Sequence, residues 1–455
     1  MTNMKKYLAA LIAVSVGGCK LDLTNPNSPT EAQVTSSADA TIGLATGLQG
    51  RFAQSYGNFA YMAALVTDEV ASTSAALISI SDAEQGSVPP GTGIADNVFN
   101  SIYLTVRTAN ELLAGSDNLA AQFDAGTRSG LRALAFTLKA EALGEALQSY
   151  QRIPIKTYGV IAPVYVGRAE ALAYVRALLD SARDEIAATP PSTLFNTSIL
   201  TPGVNLPNTI QLFRARYARI ANDYAAALAA SNLVARSGPT ALSILTFPAP
   251  AVNFFANVTG GTNGVAPRVA WRNAMETGDQ RFNYFLDVSK VQTGRVSAPG
   301  ALYFWSRYAN PQSPLPVYFP DEALLIKAEA LANQGDLPQA QAVVDSVRTD
   351  CTGNRGIDDP KACLPPLAGP LTQAQLIAEI YNQRRFELYT SGSRWEDSRR
   401  LNLVRGPVAA PGVPLNAQRC WLPYANGDRN ANPNATRAVL PDPPEPTAFP
   451  SGCTF

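Results

Sequence analysis

The stretch DEALLIKAEALANQGDLPQAQAVVDSVR, Asp321 to Arg348, decides how this chain folds. Its first half sets Leu324, Leu325, Ala328, Leu331 and Ala332 at i, i+1, i+4, i+7 and i+8. Its second half sets Ala340, Val343, Val344 and Val347 at i, i+3, i+4 and i+7, so both halves lay an apolar stripe along one face of a helix. Between them, Asn333-Gln334-Gly335-Asp336 supplies a stop and a start. Gly335 suits the left-handed backbone that ends a helix, Asp336 suits the cap of the next, and Pro338 fits a first turn where its missing N–H costs nothing. The reading is an antiparallel helical hairpin, shorter than the roughly 34 residues of a tetratricopeptide unit, with small Ala328 and Ala340 where the helices must approach closely.

The same phasing recurs upstream in FRARYARIANDYAAALAASNLV, which begins at Phe213. Asn222-Asp223-Tyr224 followed by Ala227 repeats Gly335-Asp336-Leu337 followed by Ala340, and Ala215 precedes Ala227 by the same twelve residues that separate Ala328 from Ala340. Alanines and turn residues agree, which predicts a helical repeat. Other helices are expected over 31–52, 98–113, 131–150, 169–188, 210–235 and 372–390, with a short one around Arg394 to Leu401. Tyr56 to Val70 mixes helical periodicity with aromatics expected at the surface, beside a Ser/Gly/Pro loop from Ser72 to Asp96. The fold expected is mostly α, with long irregular loops and minor β.

Composition narrows the function. The 455 residues hold 36 Lys and Arg against 36 Asp and Glu, a net charge of zero, so no electrostatic reason favours nucleic acid or an anionic membrane as partner. There is no histidine, which removes the commonest general base, the commonest metal ligand and every Ser/His or Cys/His nucleophile pair. Carboxylate chemistry alone remains open to an enzyme.

The N-terminus supplies an address. Lys5 and Lys6 precede an apolar run, Tyr7 to Val16, too short to span a bilayer, and Val16-Gly17-Gly18-Cys19 resembles a bacterial lipobox. Residues 1–18 are therefore expected to be a removed signal peptide, Cys19 the lipidated residue, and 19–30 a polar tether. The folded part is expected over 31–455, divided into a helical 31–236, a loop-rich 237–320 and a C-terminal 321–455. Four further cysteines, Cys351, Cys363, Cys420 and Cys453, allow three pairings. We favour Cys351–Cys363 with Cys420–Cys453, which would close a Gly/Pro/Asp loop and pin the proline-rich tail. No metal site is expected, since the chain has neither a CxxC pair nor a histidine.

Several segments together resemble the SusD/RagB family of outer-membrane nutrient-binding lipoproteins. They are the lipobox, the hairpins, PVYFPDEALLIKAEALANQGD leading into AQAVVDSVR, and IAEIYNQRRFELYTSGSRWEDSRRLN. Gly278-Asp279-Gln280-Arg281 resembles a family Asp-Pro-Arg turn, and Trp421-Leu422-Pro423 with Asn430 to Asn434 resembles the segment after the last helix. The most specific piece is Arg384-Arg385-Phe386-Glu387-Leu388 followed by Gly392, Arg394, Asp397 and Arg400. Arg384 with Glu387, and Arg394 with Asp397, stand at i, i+3, so ion pairs could lock the turn at Gly392. Gln383 departs from the family's usual glutamate.

The resemblance implies a right-handed scaffold of tetratricopeptide-like hairpins, no catalysis and no cofactor. It further implies a lipid-anchored protein at the outer face of the outer membrane, held to the membrane by lipid alone. Such a protein would capture glycans or peptides for a SusC-like, TonB-dependent β-barrel transporter. A surface glycan-degrading enzyme with paired carboxylates and a non-binding assembly scaffold are the rivals. Aromatics that could stack on sugars are Trp271, Tyr303, Trp305 and Tyr308, with Asn273 and Arg307 as polar neighbours, and Tyr56, Phe59 and Tyr61 beside the Ser72 to Asp96 loop. The competing reading makes these rings core. Trp395 and Trp421 are assigned to packing, and Glu141 with Glu145 to a solvated helix face.

Overall fold

The computed structural model describes residues 35–67, 69–73, 78–84, 86–91, 93–238, 241–247, 249, 251–255, 265–293, 301–351, 359–401, 419–443 and 453. The expected signal peptide, Cys19 and tether lie outside them. Helices α1 (Ala38–Val66), α2 (Ile78–Glu84), α3 (Gly93–Asn118), α4 (Ala125–Ser149) and α5 (Arg168–Ala188) make the N-terminal part. They are joined by strands β1 (Val70–Ser72), β2 (Arg152–Pro154) and β3 (Tyr165–Gly167). Next come α6 (Leu206–Ile220), α7 (Tyr224–Ser231), β4 (Ile244–Leu245), β5 (Val265–Pro267), α8 (Val269–Asn273), α9 (Phe282–Phe285), β6 (Leu286–Thr293), β7 (Ala301–Trp305) and β8 (Leu315–Pro316). The chain closes with α10 (Pro320–Asn333), α11 (Leu337–Arg348), α12 (Gln373–Glu387), α13 (Ser393–Arg400) and α14 (Asn426–Ala431).

Among the described residues the sheets are four two-stranded antiparallel pairs, β1 with β5, β2 with β3, β4 with β8 and β6 with β7. The body is helical. From α3 onward the long helices pack in series, α3 on α4, α4 on α5, α5 on α6, α6 on α7, α7 on α10 and α10 on α11 and α12, with α1 lying across α3 and α4.

The paired turns form as the spacing predicts. Gly335 has φ +87° and Asp336 accepts the Gln339 amide, while Asn222 has φ +56° and Asp223 accepts the Ala226 amide. Ala328, Ala332 and Ala340 meet in one helix contact, and Ala215, Ala218, Ala227 and Ala330 in the next. The absence of longer side chains there lets the backbones close up. The segment read as one helix over 210–235 is broken at this turn into α6 and α7.

Two expectations about α1 are corrected. The helix runs unbroken through Val66, and its aromatics point inward: Tyr56 and Phe59 are buried and Tyr61 is half-buried. Phe59 packs on Gly392, where an added Cβ would meet the Phe59 ring at 2.5 Å and φ is +83°. Glycine is needed there twice over, for space and for backbone.

Glu141 and Glu145 are also not solvated; they are 1% and 0% exposed. Arg216 of α6 lies 2.7 Å from both Glu141 and Glu322, Tyr217 donates to Glu141, and Ser55 donates to Glu145. Facing groups on neighbouring helices replace the water that spacing on one helix had seemed to require.

Of the motif residues Arg384, Glu387, Gly392, Arg394, Asp397 and Arg400, four make ion pairs across elements: Arg384, Glu387, Asp397 and Arg400. Asp397 takes Arg384 and Arg219, each at 2.6 Å; Arg400 takes Glu329 at 2.7 Å; Glu387 lies 3.6 Å from Arg281. Arg281 also grips Asp279 at 2.6 Å, in the turn that opens at Gly278. Cys351 is bonded to Cys363 and Cys420 to Cys453.

Candidate functional site

The aromatics singled out in the sequence do not form a surface. Trp271, Trp305 and Tyr308 are 2%, 3% and 1% exposed, and Tyr303 is half-buried against the same core. Trp271 stacks on Tyr389 at 3.8 Å between centroids, and Phe255 stacks on Tyr308 at 5.3 Å and meets Trp305 edge-on at 5.7 Å. With Tyr56 and Phe59 also enclosed, these rings are the wedge that holds the β pairs onto α1 and α12, and a sugar cannot reach their faces. Their clustering in a Gly/Pro-rich stretch signalled packing into the main core rather than a binding face. Of the polar neighbours, Asn273 is exposed and Arg307 stacks over Tyr284 at 4.8 Å. Trp395 and Trp421 are buried in packing.

An open groove lies elsewhere, with a volume of about 320 Å³. Its floor is one stripe of α3, Phe99, Tyr103, Arg107 and Glu111, which repeat every fourth residue and so share a face. Phe99 and Tyr103 lie ring to ring at 4.4 Å, and Arg107 Nε donates to Glu111 Oε1 at 2.8 Å. One wall is the β2–β3 hairpin loop with Pro154, Thr157, Tyr158, Gly159 and Pro163; the other is Asp428 on α14. Gly159 has φ +68°, which lets the loop reverse.

The hairpin is pinned rather than draped. Tyr103 donates its hydroxyl to the Pro154 carbonyl at 3.0 Å, and the Asn432 and Asn434 amides donate to the Pro163 and Ala162 carbonyls at 2.9 and 3.0 Å. Tyr165 donates to Asp428 at 2.5 Å. Burial, and then that bond, raise the Tyr165 phenol well above its ordinary range, so it keeps its proton and remains the donor. Burial likewise raises Tyr103.

The surface that results suits recognition. The Tyr158 side chain is half exposed, Arg107 turns donors outward, Asp428 offers acceptors, and the loop rim carries exposed Val160, Ile161 and Val164. An exposed ring with charged hydrogen-bonding groups around it is what a polyol or sugar ring needs. Sequence reasoning placed the helix but missed its stripe. The period-four run of Phe99, Tyr103, Arg107 and Glu111 was the available signal.

Several carboxylates elsewhere are held in buried ion pairs. Burial pushes Asp397 up, but Arg219 and Arg384 outweigh it and hold the group below the usual carboxylate range, so it stays ionised. Asp321, Asp350 and Asp359 converge within 4.8 Å of one another, and Lys361 already brings its ammonium to Asp350 at 3.4 Å and to Asp359. Among the described residues, no helix is long and apolar enough to cross a membrane.

Hairpin scaffold, buried arginine lattice and pinned groove together define a helical-hairpin architecture. Residues 311–439 match the family model described as the SusD family. The fold is similar to that of a SusD superfamily protein from Bacteroides thetaiotaomicron, with TM-score 0.67, 16% identity, and coverage of 87% of this chain and 98% of that one. It is also similar to a SusD superfamily protein from Bacteroides fragilis (TM-score 0.66, 15% identity, 88% and 99% covered). A third similar structure is surface glycan-binding protein A from Bacteroides uniformis (0.65, 14%, 85% and 98%). No curated protein sequence matches this one.

Proposed function

We propose that this protein captures oligosaccharides at the cell surface without transforming them, and that the groove between α3, the β2–β3 hairpin and α14 is where it does so. The observation that carries this reading is the exposed Tyr158 ring beside Arg107 and Asp428. Ring stacking gives affinity that tolerates different sugars, and the charged groups fix orientation. The description of the Bacteroides uniformis relative as glycan-binding points to the same ligand class.

The reading extends to the sequence's address. Lipid on Cys19 would hold the chain at the outer membrane through several acyl chains, with residues 19–30 as tether. A TonB-dependent β-barrel transporter would receive the captured sugar.

The test uses protein starting after Cys19, run through gels containing α- and β-glucans, xylan, mannan or pectin and titrated with a peptide mixture. At least one glycan is expected to retard it, and Tyr158→Ala or Arg107→Ala to weaken that retention by about tenfold, the loss of one to two good contacts. Absence of binding across the panel, or release of shortened sugars from a bound glycan, would overturn the reading. Co-purification of full-length chain with a β-barrel, and mass spectrometry of its N-terminal peptide, test the transporter and the lipid separately.

A further inference from the structure

A second cavity lies inside the helical body, away from the groove. It holds about 270 Å³ between α1, α4, the start of α6 and the β4–β8 pair. Phe52, Leu134, Leu138 and Val317 make its interior, and each is buried. Protein interiors are close-packed and seldom leave voids much larger than one water, so a space of this size in the body of the fold calls for an occupant.

The walls say what kind. The polar side chains enclosed there spend their hydrogen bonds within the wall. Gln49 donates to the Ala45 and Ile199 carbonyls at 3.1 and 3.0 Å and accepts the Thr201 amide at 2.7 Å. Thr209 donates to the Asn205 carbonyl at 2.7 Å and shares a bond of 2.7 Å with Ser243, which accepts the Asn205 amide at 2.9 Å. Water inside needs two to four polar partners, and Gln49, Thr209 and Ser243 are already engaged, while the other lining hydroxyls, Thr46, Thr201 and Thr246, are exposed or half-exposed. An apolar guest needs none.

The cavity also has a door. Thr46 and Gly50 on α1 and Thr246 after β4 line it and are exposed, and a Cβ added at Gly50 would meet nothing within 4 Å. A guest can enter without unfolding the helices. A dry cavity of about 150 Å³ accepts benzene, so in proportion this one has room for about ten non-hydrogen atoms.

We propose that this cavity is a binding site for a small, neutral aromatic molecule of one or two rings, separate from the sugar groove and not dependent on it. No ionic group lines it, so a charged guest would lose its hydration without repayment.

The experiment titrates the protein lacking residues 1–19 with indole, with glucose as the polar control, by calorimetry and by ligand-observed NMR. Indole is expected to bind saturably at one per chain, and glucose to give no signal that indole displaces. Ala53→Leu projects into the cavity from α1 and is expected to weaken indole binding at least tenfold with an unchanged circular dichroism spectrum. Gly50→Leu, which favours the helix and stands at the opening, is expected to do the same and decides the matter should Ala53→Leu fail to fold. Absence of saturable indole binding to folded protein, or undiminished binding in the folded variant, overturns the proposal. Glycan retention in these variants is expected to stay as in the unmodified chain.

Discussion

Arg384 donates through Nε to Asp397 Oδ2 at 2.6 Å, tying α12 to α13 across the turn at Gly392. The second oxygen of the same carboxylate takes Arg219 of α6, also at 2.6 Å. One buried anion thus joins the C-terminal motif to the upstream hairpin. Arg219 in turn reaches Glu329, whose other oxygen holds Arg400. The motif's charges are a clamp between repeats.

Removing the centre of that clamp leaves two guanidiniums enclosed without their counter-charge. Asp397→Ala is therefore expected to cost about 3–5 kcal/mol of stability, the usual penalty for breaking a buried pair from one side. Guanidinium unfolding monitored by circular dichroism measures it; a loss below about 1 kcal/mol would mean that water reaches both arginines. The contribution is present above the ordinary carboxylate value of 3.8 and is lost only as pH falls through the lower folded value.

Glu69 is the opposite case. It is buried beneath β1 with neither carboxylate oxygen in a hydrogen bond of normal geometry. Burial pushes it up to about 7, against the pull of Arg394, the Thr390 amide and Arg385. The folded pKa lies above the unfolded one, so the protonated acid costs nothing below pH 4.5 and stability is lost as pH rises through 7. Glu69→Gln, which mimics the protonated form, is expected to raise Tm at pH 8 and to leave it unchanged at pH 4.5. The full difference corresponds to at most about 3 kcal/mol. Equal Tm values across that range would show the carboxylate to be ionised and content where it lies.

The hairpins were legible in the sequence because their information is local. Gly335, Asp336 and Pro338 specify a turn by their own backbones, and Ala328 and Ala340 mark a close approach at a fixed offset. What failed was whatever depends on a facing element. Glu141 and Glu145 look solvated on their own helix and are buried because Arg216, Tyr217 and Ser55 arrive from two others. Trp271 and Trp305 look like loop aromatics and are core because Tyr389 comes to both from a distant part of the chain. The groove escaped for the same reason: its floor is one helix, but its walls are the β2–β3 loop and α14, far apart in sequence.

Gly144 separates propensity from packing. It sits inside α4, where alanine normally gains about 1 kcal/mol over glycine. An added Cβ would meet the Tyr217 hydroxyl at 1.7 Å, and that hydroxyl is held by Glu141. Gly144→Ala is expected to destabilise by about 1–3 kcal/mol, the cost of overpacking. Urea unfolding of Gly144→Ala beside the double variant with Tyr217→Phe tells the cause, since removing the hydroxyl should recover part of the loss. A stabilised single variant would show that α4 and α6 can part without cost.

The groove's wall can be loosened without touching its face. Asn432 and Asn434 hold the Pro163 and Ala162 carbonyls from behind, and neither side chain lines the groove. Asn432→Ala with Asn434→Ala frees the loop, and amide hydrogen exchange over residues 157–162 is expected to speed up by at least tenfold, while α3 stays protected. A ligand must then order the loop itself, so glycan affinity is expected to fall by roughly threefold to tenfold, mainly through faster release. Exchange that speeds up with no change in retention would place the sugar somewhere other than against this hairpin. Unchanged exchange would mean that the Tyr103 hydroxyl and the β2–β3 pairing hold the wall unaided.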